Sequence, residues 1–371
     1  MNNETTTIPA PEERMRGYLQ LVATGPELSK SLTEAQAEDA LGLVLGGEIG
    51  SVRSAIFLIA LRMKRETDAE NAGALNALQK RMQTGVTDHD DVMAIADPFN
   101  GFVRGLTALP FLPAVLATCG LPAYCHGLER AGPKYGITPH RVLKMAGKDV
   151  DLSVPDAITA MNTRGWCYID QAQYIPPLHD VVSLRDQMVK RTCLSTLEVV
   201  LKPLSGRRRT HLLTGFVHKA YPPVYAALAR QAGFDTAAVV RGVEGGCIPS
   251  LSQLSRYFGF VGSEDMQLHK LTPSEVGIEQ TQRMIPISDE EEQILSNSNY
   301  QDADGMDEVL SRNVAEGVAA LSNKEGPMRD SLVYGTAIAL AHAGVADDLA
   351  SGAEKARKAL SSGEALERFN S

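Results

Sequence analysis

From Asp91 onward, short apolar runs bounded by Gly or Pro alternate with stretches of helical spacing, and this alternation constrains the fold more than any other feature of the chain. "DVMAIA", "PAYCHG", "GWCYID", "RTHLLTGFVH" and "TAAVVRGVEGG" read as strands. "ALPFLPAVLATCG", "TPHRVLKMAG", "SLRDQMVKRTCLSTLEVVLKPL" and "PPVYAALARQAGF" read as helices between them, the last opened by Pro222-Pro223. Such alternation predicts an α/β fold with a mainly parallel sheet and helices on both of its faces.

The chain ahead of this region is different. Residues 15–90 carry helical spacing, and short Gly-containing connections join the helices into a small bundle. "LTEAQAEDALGLVLGG" has Thr33 and Gln36 at capping-box spacing and ends in Gly46-Gly47. "SVRSAIFLIALRMKRE" is apolar nearly all round, and "DAENAGALNALQKRM" supplies a further helix. Residues 1–14 read as a disordered leader. The C-terminal part is helical again, in "MDEVLSRNVAEGVAALSN", "GPMRDSLVYGTAIALAHAG" and "DLASGAEKARKALSSGEALERF". The expected organisation is a leader at 1–14, a helical domain at 15–90 and an α/β domain with C-terminal helices at 91–371.

Composition narrows the class. The chain is 44% hydrophobic and 22% charged, which is ordinary for a globular protein. Its apolar runs are too short or too interrupted to span a bilayer, and the N-terminus lacks the basic start and apolar core of a secretory signal. Cys119, Cys125, Cys167, Cys193 and Cys247 are odd in number and contain no C-x-x-C, which points to reduced thiols in a cytoplasmic protein. The net charge of −9 is uneven. Eight acids between 286 and 308, with no Lys or Arg, read as a solvated connection. Between 185 and 211 lie Arg185, Lys190, Arg191, Lys202, Arg207, Arg208 and Arg209, either an anion-binding surface or a solvated face.

Ligands of open parallel sheets bind outside the carboxyl ends of the strands, which directs attention to four loops. The first is "IADPFNGFVRGLTALP", which has Pro98, Phe99 and Asn100 where a phosphate cradle wants glycines. The second, "CHGLERAGPKYGIT", has Gly127, Gly132 and Gly136 to bring backbone N–H groups near a ligand. His126, Arg130 and Lys134 add donors or positive charge there. The third follows "GWCYID". The fourth, "RGVEGGCIPS", carries Glu244, a weak metal ligand or an incidental acid. H-E-x-x-H, G-x-G-x-x-G, G-x-x-x-x-G-K-[ST] and G-x-S-x-G are all absent. Cys125 and His126 point to opposite faces of a strand, so Cys125 reads as core.

These residues, taken in order, resemble anthranilate phosphoribosyltransferase and its relatives, from about residue 15 to the C-terminus. The resemblance rests on "SLTEAQAEDALGLVLGGEIGSVRSAIFLIALRMKRETDAENAG", "LPAYCHGLERAGPKYGIT", "PLHDVVSLRDQMVKRT" and "KEGPMRDSLVYGTAIALAHAGVADDLASGAEKARKALSSGEALERF". It implies a helical domain joined by helices from about 177–200, a larger α/β domain of the nucleoside phosphorylase/phosphoribosyltransferase type, a ligand cleft between them, and a homodimer formed through the helical domain. It also implies Mg²⁺ and a phosphorylated substrate. The family's diphosphate loop falls on residues 97–101, where none of its three glycine positions holds a glycine. The phosphate- and metal-binding Ser and Thr fall on Leu109 and Pro110. His126, Gly127, Lys134 and Gly136 match, Arg130 is displaced by one, and Arg185 matches the substrate-binding arginine. Of the metal pair only Glu244 remains, so Mg²⁺ is a poor fit.

The departures resemble those of a divergent branch of the family. They are Asn100-Gly101, His126-Gly127, Lys134-Tyr135-Gly136, Lys190-Arg191, Thr196-Leu197-Glu198 and Gly242-Val243-Glu244-Gly245. The branch is usually labelled glycosyltransferase and has nucleic-acid binders among its relatives. Two functions are therefore expected. One is pentosyl or phosphoribosyl transfer to an acceptor other than anthranilate. The other is non-catalytic binding of a nucleotide or nucleic acid in the same cleft, with Arg185 and Arg191 among the phosphate contacts.

Overall fold

The computed structural model describes residues 8–25, 27–299 and 301–371. Four helices open it: α1 (Pro11–Val22), α2 (Glu34–Leu45), α3 (Ser51–Lys64) and α4 (Asp68–Gln79). The expected capping box at Thr33 and Gln36 starts α2, and an equivalent one at Thr67 and Glu70 starts α4. Gly73 sets how closely these two helices cross, because a Cβ there would lie 2.0 Å from the Glu34 carbonyl oxygen. Residues 1–7 of the expected leader lie outside the described residues. Residues 11–14 belong to α1, with Pro11 opening the helix and Glu12 and Glu13 in its first turn. Only Met15 and Val22 of α1 are buried, too sparse a stripe to fix the start of the helix from the sequence.

Two sheets follow. Strands β1 (Gly85–Val86) and β5 (Leu204–Ser205) form a short parallel pair. The main sheet contains β2 (Asp91–Ala96), β3 (Ala123–Gly127), β4 (Trp166–Asp170), β6 (Arg209–Gly215), β7 (Thr236–Val240), β8 (Ser255–Val261) and β9 (Gln267–Leu271), in the order β4-β3-β2-β6-β7-β8-β9. The first five strands in this order are parallel, as expected; β8 and β9 are antiparallel additions at one edge. Residues of the parallel strands alternate between two cores, as a sheet covered on both faces requires. Met93, Ile95, Cys125, Leu213 and Val240 face one core, and Val92, Ala94, Tyr124, Leu212 and Val239 face the other.

The first core is covered by α5 (Leu112–Thr118), α6 (Pro139–Met145) and the C-terminal helices α14 (Met306–Leu321), α15 (Pro327–Ala343), α16 (Leu349–Ser361) and α17 (Glu364–Asn370). The second core includes the N-terminal helices, α7 (Val154–Arg164) and α12 (Tyr221–Gln231). The stretch expected as one helix near 183–204 is broken. After α8 (Gln171–Tyr174) and α9 (Pro176–His179) come α10 (Val182–Met188) and α11 (Leu194–Leu197), with Val189 between them at φ 57°. Helix α10 packs on α3, and α11 packs on α4.

The acidic 286–308 segment is not a bare connection. It contains α13 (Asp289–Asn297), started by a capping box of Ser288 and Glu291. Glu291 pairs with Arg312, and Asp302 lies 2.8 Å from Arg141 and 3.5 Å from Arg130. Arg141 is only 4% exposed, and a guanidinium that deep requires a counter-charge. Among the described residues no helix is long and apolar enough to cross a membrane.

Candidate ligand-binding cleft

The chain winds outward from β2 through β3 to β4, then returns to β6 on the other side of β2. The carboxyl ends of β2 and β6 therefore flank the switch point of the sheet, where open α/β folds bind ligands. A cleft lies there. Its floor is made by Pro98, Phe99 and Asn100 after β2 and by Thr214, Gly215 and Phe216 at the end of β6. Arg62 and Glu66 reach it from the end of α3, and residues 191–199 close one side. His218, Tyr221 and Tyr225 also line it, with rings 6.2 and 6.0 Å apart in sequence order.

The polar groups of the cleft divide into tied and open. With the Asn100 amide turned so that Oδ1 faces Arg191, that oxygen accepts from Nη2 at 2.7 Å and from Nε at 3.0 Å. Arg62 donates to the Tyr221 hydroxyl at 3.1 Å. Among the described residues, Glu66 Oε1 and Thr192 Oγ1 find no hydrogen-bond partner, although both atoms are buried from solvent. Burial raises the Glu66 carboxyl above its usual value, with Arg62 acting in the opposite sense. Unpaired acceptors in a cleft are positions where a ligand donor gains a bond that the protein leaves unmade.

The loop after β2 has an unusual construction. Gly101 donates to the Pro98 carbonyl at 2.9 Å and has φ 73°, so Asn100-Gly101 makes the expected tight turn. The turn is then fastened to the second glycine-bearing loop. Gly136 N donates to Asn100 O at 3.0 Å, and Phe102 and Ile137 exchange backbone bonds at 3.0 and 2.8 Å. A Cβ on Gly136 would lie 2.4 Å from Phe102 O. Gly136 thus lets two protein loops meet, whereas the sequence suggested close approach to a ligand. Residues 283–285 cross over the far side, with Leu106 N donating to Ile285 O at 3.1 Å. Asp97, 5% exposed, accepts from Cys247 N at 2.7 Å, and burial pushes its carboxyl up to about 6.

The donors of this loop are already engaged. Val103 N lies 3.2 and 3.3 Å from the two Glu244 carboxylate oxygens, Arg104 N donates to Oε1 at 2.8 Å, and Lys134 Nζ to Oε2 at 2.7 Å. Glu244 holds this position with φ 52°, in the left-handed region that costs a non-glycine residue on the order of 1 kcal/mol. Arg185 is met in the same way. It is 6% exposed and binds Glu198 through Nη1–Oε2 at 2.6 Å and Nη2–Oε1 at 2.9 Å. Its burial disfavours the charge, but Glu198 overrides this and raises its pKa. Gly132 N and the Tyr135 hydroxyl both donate to Asp186. Asp302 lies within ion-pair reach of Arg130.

Of the residues singled out from the sequence, Asn100, Arg191 and Glu244 line the cleft. Lys134 is behind Glu244, and Arg185 is behind Glu198. Arg130 lies with the acidic segment. Gly101 and Gly136 lie against the backbone of the facing loop, and Gly127 pairs with Asp170 in the sheet beside the Tyr168 ring. His126 is buried between Phe99 and Tyr174, with Nδ1 3.1 Å from the Tyr174 hydroxyl. Burial depresses its pKa to about 3, so the ring is neutral. The basic residues of 185–211 do not form one patch: Arg207 pairs with Asp90, Arg209 with Asp91, and Lys202 bonds the Gly233 carbonyl. Four of the five thiols are buried and Cys119 is half-buried; burial raises the pKa of each.

Arg62, Glu66, Thr192, His218, Tyr221 and Tyr225 did not emerge from the sequence. A signal existed for three of them. "RTHLLTGFVH" reads as a strand, and the loop at its carboxyl end, a ligand-binding position in open parallel sheets, leads into His218, Tyr221 and Tyr225. Nothing in the spacing of Arg62 or Glu66 pointed to the cleft.

The residues around Glu244 do not fit Mg-diphosphate. Its carboxylate is held by an ammonium and two amides, and among the described residues no group of three His, Cys, Asp or Glu side chains could hold a metal. Leu109 and Pro110 are buried and offer no hydroxyl.

Residues 16–82 match the helical bundle domain of a glycosyl transferase family, and residues 111–366 match its a/b domain. An anthranilate phosphoribosyltransferase of Novosphingobium aromaticivorans is 26% identical over 349 residues, covering 93% of this chain and 97% of that protein. An uncharacterized protein of Aquifex aeolicus is 24% identical over 250 residues, 67% of this chain and 74% of its own length. Among solved structures, anthranilate phosphoribosyltransferase from Saccharomyces cerevisiae in complex with PRPP and Mg superposes with a TM-score of 0.74 at 17% identity, covering 97% of this chain and 96% of that one. The Thermus thermophilus enzyme gives 0.70 at 19%, covering 98% of both chains.

Proposed function

Because the chain belongs to the glycosyl transferase family built from a helical bundle domain and an a/b domain, we propose that its cleft binds a phosphorylated, pentose-bearing small molecule and serves pentosyl transfer to an acceptor other than anthranilate. One observation carries this reading: at the switch point of the sheet, Arg62 and Arg191 line the same cleft as His218, Tyr221 and Tyr225. Two guanidinium groups suit a phosphate, and an aromatic wall suits a planar ring. The Glu66 and Thr192 oxygens would receive donors from the acceptor. Glu198 neutralises the arginine that resemblance assigns to a substrate anion, which argues against anthranilate.

A second reading is favoured by the Glu244–Lys134 pair, which removes the charge stabilisation that a diphosphate leaving group needs. On that reading the cleft binds a nucleotide or single-stranded nucleic acid without turnover. Calorimetric titration separates the two. Ribose 5-phosphate should bind with no dependence on Mg²⁺, phosphoribosyl diphosphate should bind more weakly, and Arg191→Ala should abolish the binding of ribose 5-phosphate. An oligonucleotide whose affinity falls steeply with salt, with no sugar phosphate bound, supports the second reading. If neither class binds, both readings are wrong.

Exposed apolar residues of α3 support the homodimer implied by the resemblance. Helix α3 exposes Val52, Ile56 and Met63, at 71%, 45% and 78%. Sedimentation of a Met63→Asp variant tests it: a dimer seated there becomes a monomer.

A further inference from the structure

We propose that Glu244 is an internal anion closing a preformed oxyanion site, and that it is the residue by which this protein excludes diphosphate from its cleft. The site consists of Val103 N, Arg104 N and Lys134 Nζ, all within 3.3 Å of the Glu244 carboxylate. Two consecutive amides and an ammonium converging on one point form a concavity for a carboxylate, a sulfate or a phosphoryl group.

Two observations indicate that the donors were not assembled merely to hold this glutamate. First, the two amides are held by contacts other than those with Glu244. The amides are fixed because Phe102, one residue earlier, is locked to Ile137, and Leu106, two residues later, to Ile285. Lys134 is carried by the loop that Asp186 and Arg141 fasten at Gly132 and Gly136. Second, Glu244 reaches the site only by adopting a left-handed backbone between Gly242 and Gly245. Its side chain is 5% exposed, yet it borders both the main cleft and a second recess beside Arg104 and Arg241. Removing it would open the donors to solvent and to ligands. Arg191 senses the Glu244 charge as well, so the vacated position would lie in a positive field.

This inference stands on the loop geometry and holds whether the cleft's own ligand is turned over or only bound. It goes beyond the proposed function by naming what the protein rejects and the residue responsible. Its failure is separable from that of the proposed function, because the probe is inorganic pyrophosphate, which lacks the sugar.

The variant is Glu244→Gly, chosen because glycine adopts a φ of 52° freely. Pyrophosphate binding is measured by calorimetry in the wild type, in Glu244→Gly, in the near-isosteric Glu244→Gln and in the double variant with Lys134→Ala. The expected result is an affinity at least about tenfold higher in Glu244→Gly than in the wild type, corresponding to one bond to a charged group. Glu244→Gln, whose amide still fills the site, should gain less, and Lys134→Ala should remove the gain. A folded Glu244→Gly that binds no better than the wild type overturns the proposal, as does a gain that survives Lys134→Ala. The wild-type chain supplies a check that needs no variant. The rate at which acetic anhydride labels Lys134 should be unchanged by millimolar pyrophosphate, and protection of Lys134 would mean that Glu244 excludes nothing.

Discussion

The pair between Arg185 and Glu198 offers the sharpest test of the view that the chain satisfies its own cationic anchors. Both side chains are buried, at 6% and 2% exposure, and they meet through two bonds of 2.6 and 2.9 Å. At ~4 Å and an effective dielectric of ~20, two unit charges attract by about 4 kcal/mol. Removing one partner of a buried pair leaves the other charge desolvated and typically costs about 3–5 kcal/mol. Arg185→Met and Glu198→Leu should each lose roughly that much. The double variant buries no unpaired charge and should recover most of the loss, so the coupling energy should be about 3 kcal/mol or more. The assay is urea unfolding followed by far-ultraviolet circular dichroism and by the fluorescence of Trp166, with coincident transitions required before a free energy is extracted. Additive losses, with the double variant as unstable as the two singles combined, would refute the argument. So would an Arg185→Met variant as stable as the wild type, since that would leave Arg185 available to a ligand.

Other expectations follow from the same structure. Asp97 has its folded pKa raised from 3.8 to about 6, so its neutral form is favoured; that stability is fully present below pH 3.8 and is lost as the pH rises through 6. Asp97→Asn should therefore be more stable than the wild type at pH 7, by on the order of 3 kcal/mol, with the difference shrinking as the pH falls toward 4. His342 has the opposite sign. Burial, with His211 and His269 nearby, depresses it to about 4, so its contribution is present above pH 6.5 and is lost as the pH falls through 4. His342→Gln should flatten the acid limb of the unfolding profile between those values, and an unchanged limb would show that the ring is not buried neutral. Gly136→Ala should cost several kcal/mol and detach the loop after β2, because the added carbon would lie 2.4 Å from the Phe102 carbonyl oxygen. Faster amide exchange at Phe102 and Ile137 would report that detachment.

The parallel strands were legible because each is a short apolar run between Gly or Pro punctuation. Strand β8 was not, since Arg256 and Gly259 break its apolar run and its pairing with β7 and β9 makes it a strand. The turn at Asn100-Gly101 was legible from glycine chemistry. What it faces was not: Lys134 and Glu244 are 110 positions apart, and no local pattern announces that a carboxylate from one loop fills the donors of another. The acidic segment misled for a related reason. A run of charge normally implies solvation, but Asp302 is drawn in by Arg141, whose burial is a property of the fold. Arg185 shows the limit of reading a residue by its counterpart in relatives, because the glutamate thirteen positions later changes what the same arginine can do.

The parallel pairing of β1 with β5 also bears on synthesis. These two strands belong to the two stretches in which the chain leaves the helical layer for the main sheet, so the crossings run side by side. Helix α4 ends at Gln79, and α10, the next helix to pack on α3, begins at Val182, 103 residues later (182 − 79). At about 5–20 residues per second, the first four helices wait roughly 5–20 s on the ribosome before the segment that packs on α3 and α4 is made. For that interval the apolar face of α3, with Phe57, Leu58 and Leu61, lacks part of its cover. Truncated nascent chains ending before α10 are therefore the forms most in need of a chaperone, and the β1–β5 ribbon can close only after the wait is over.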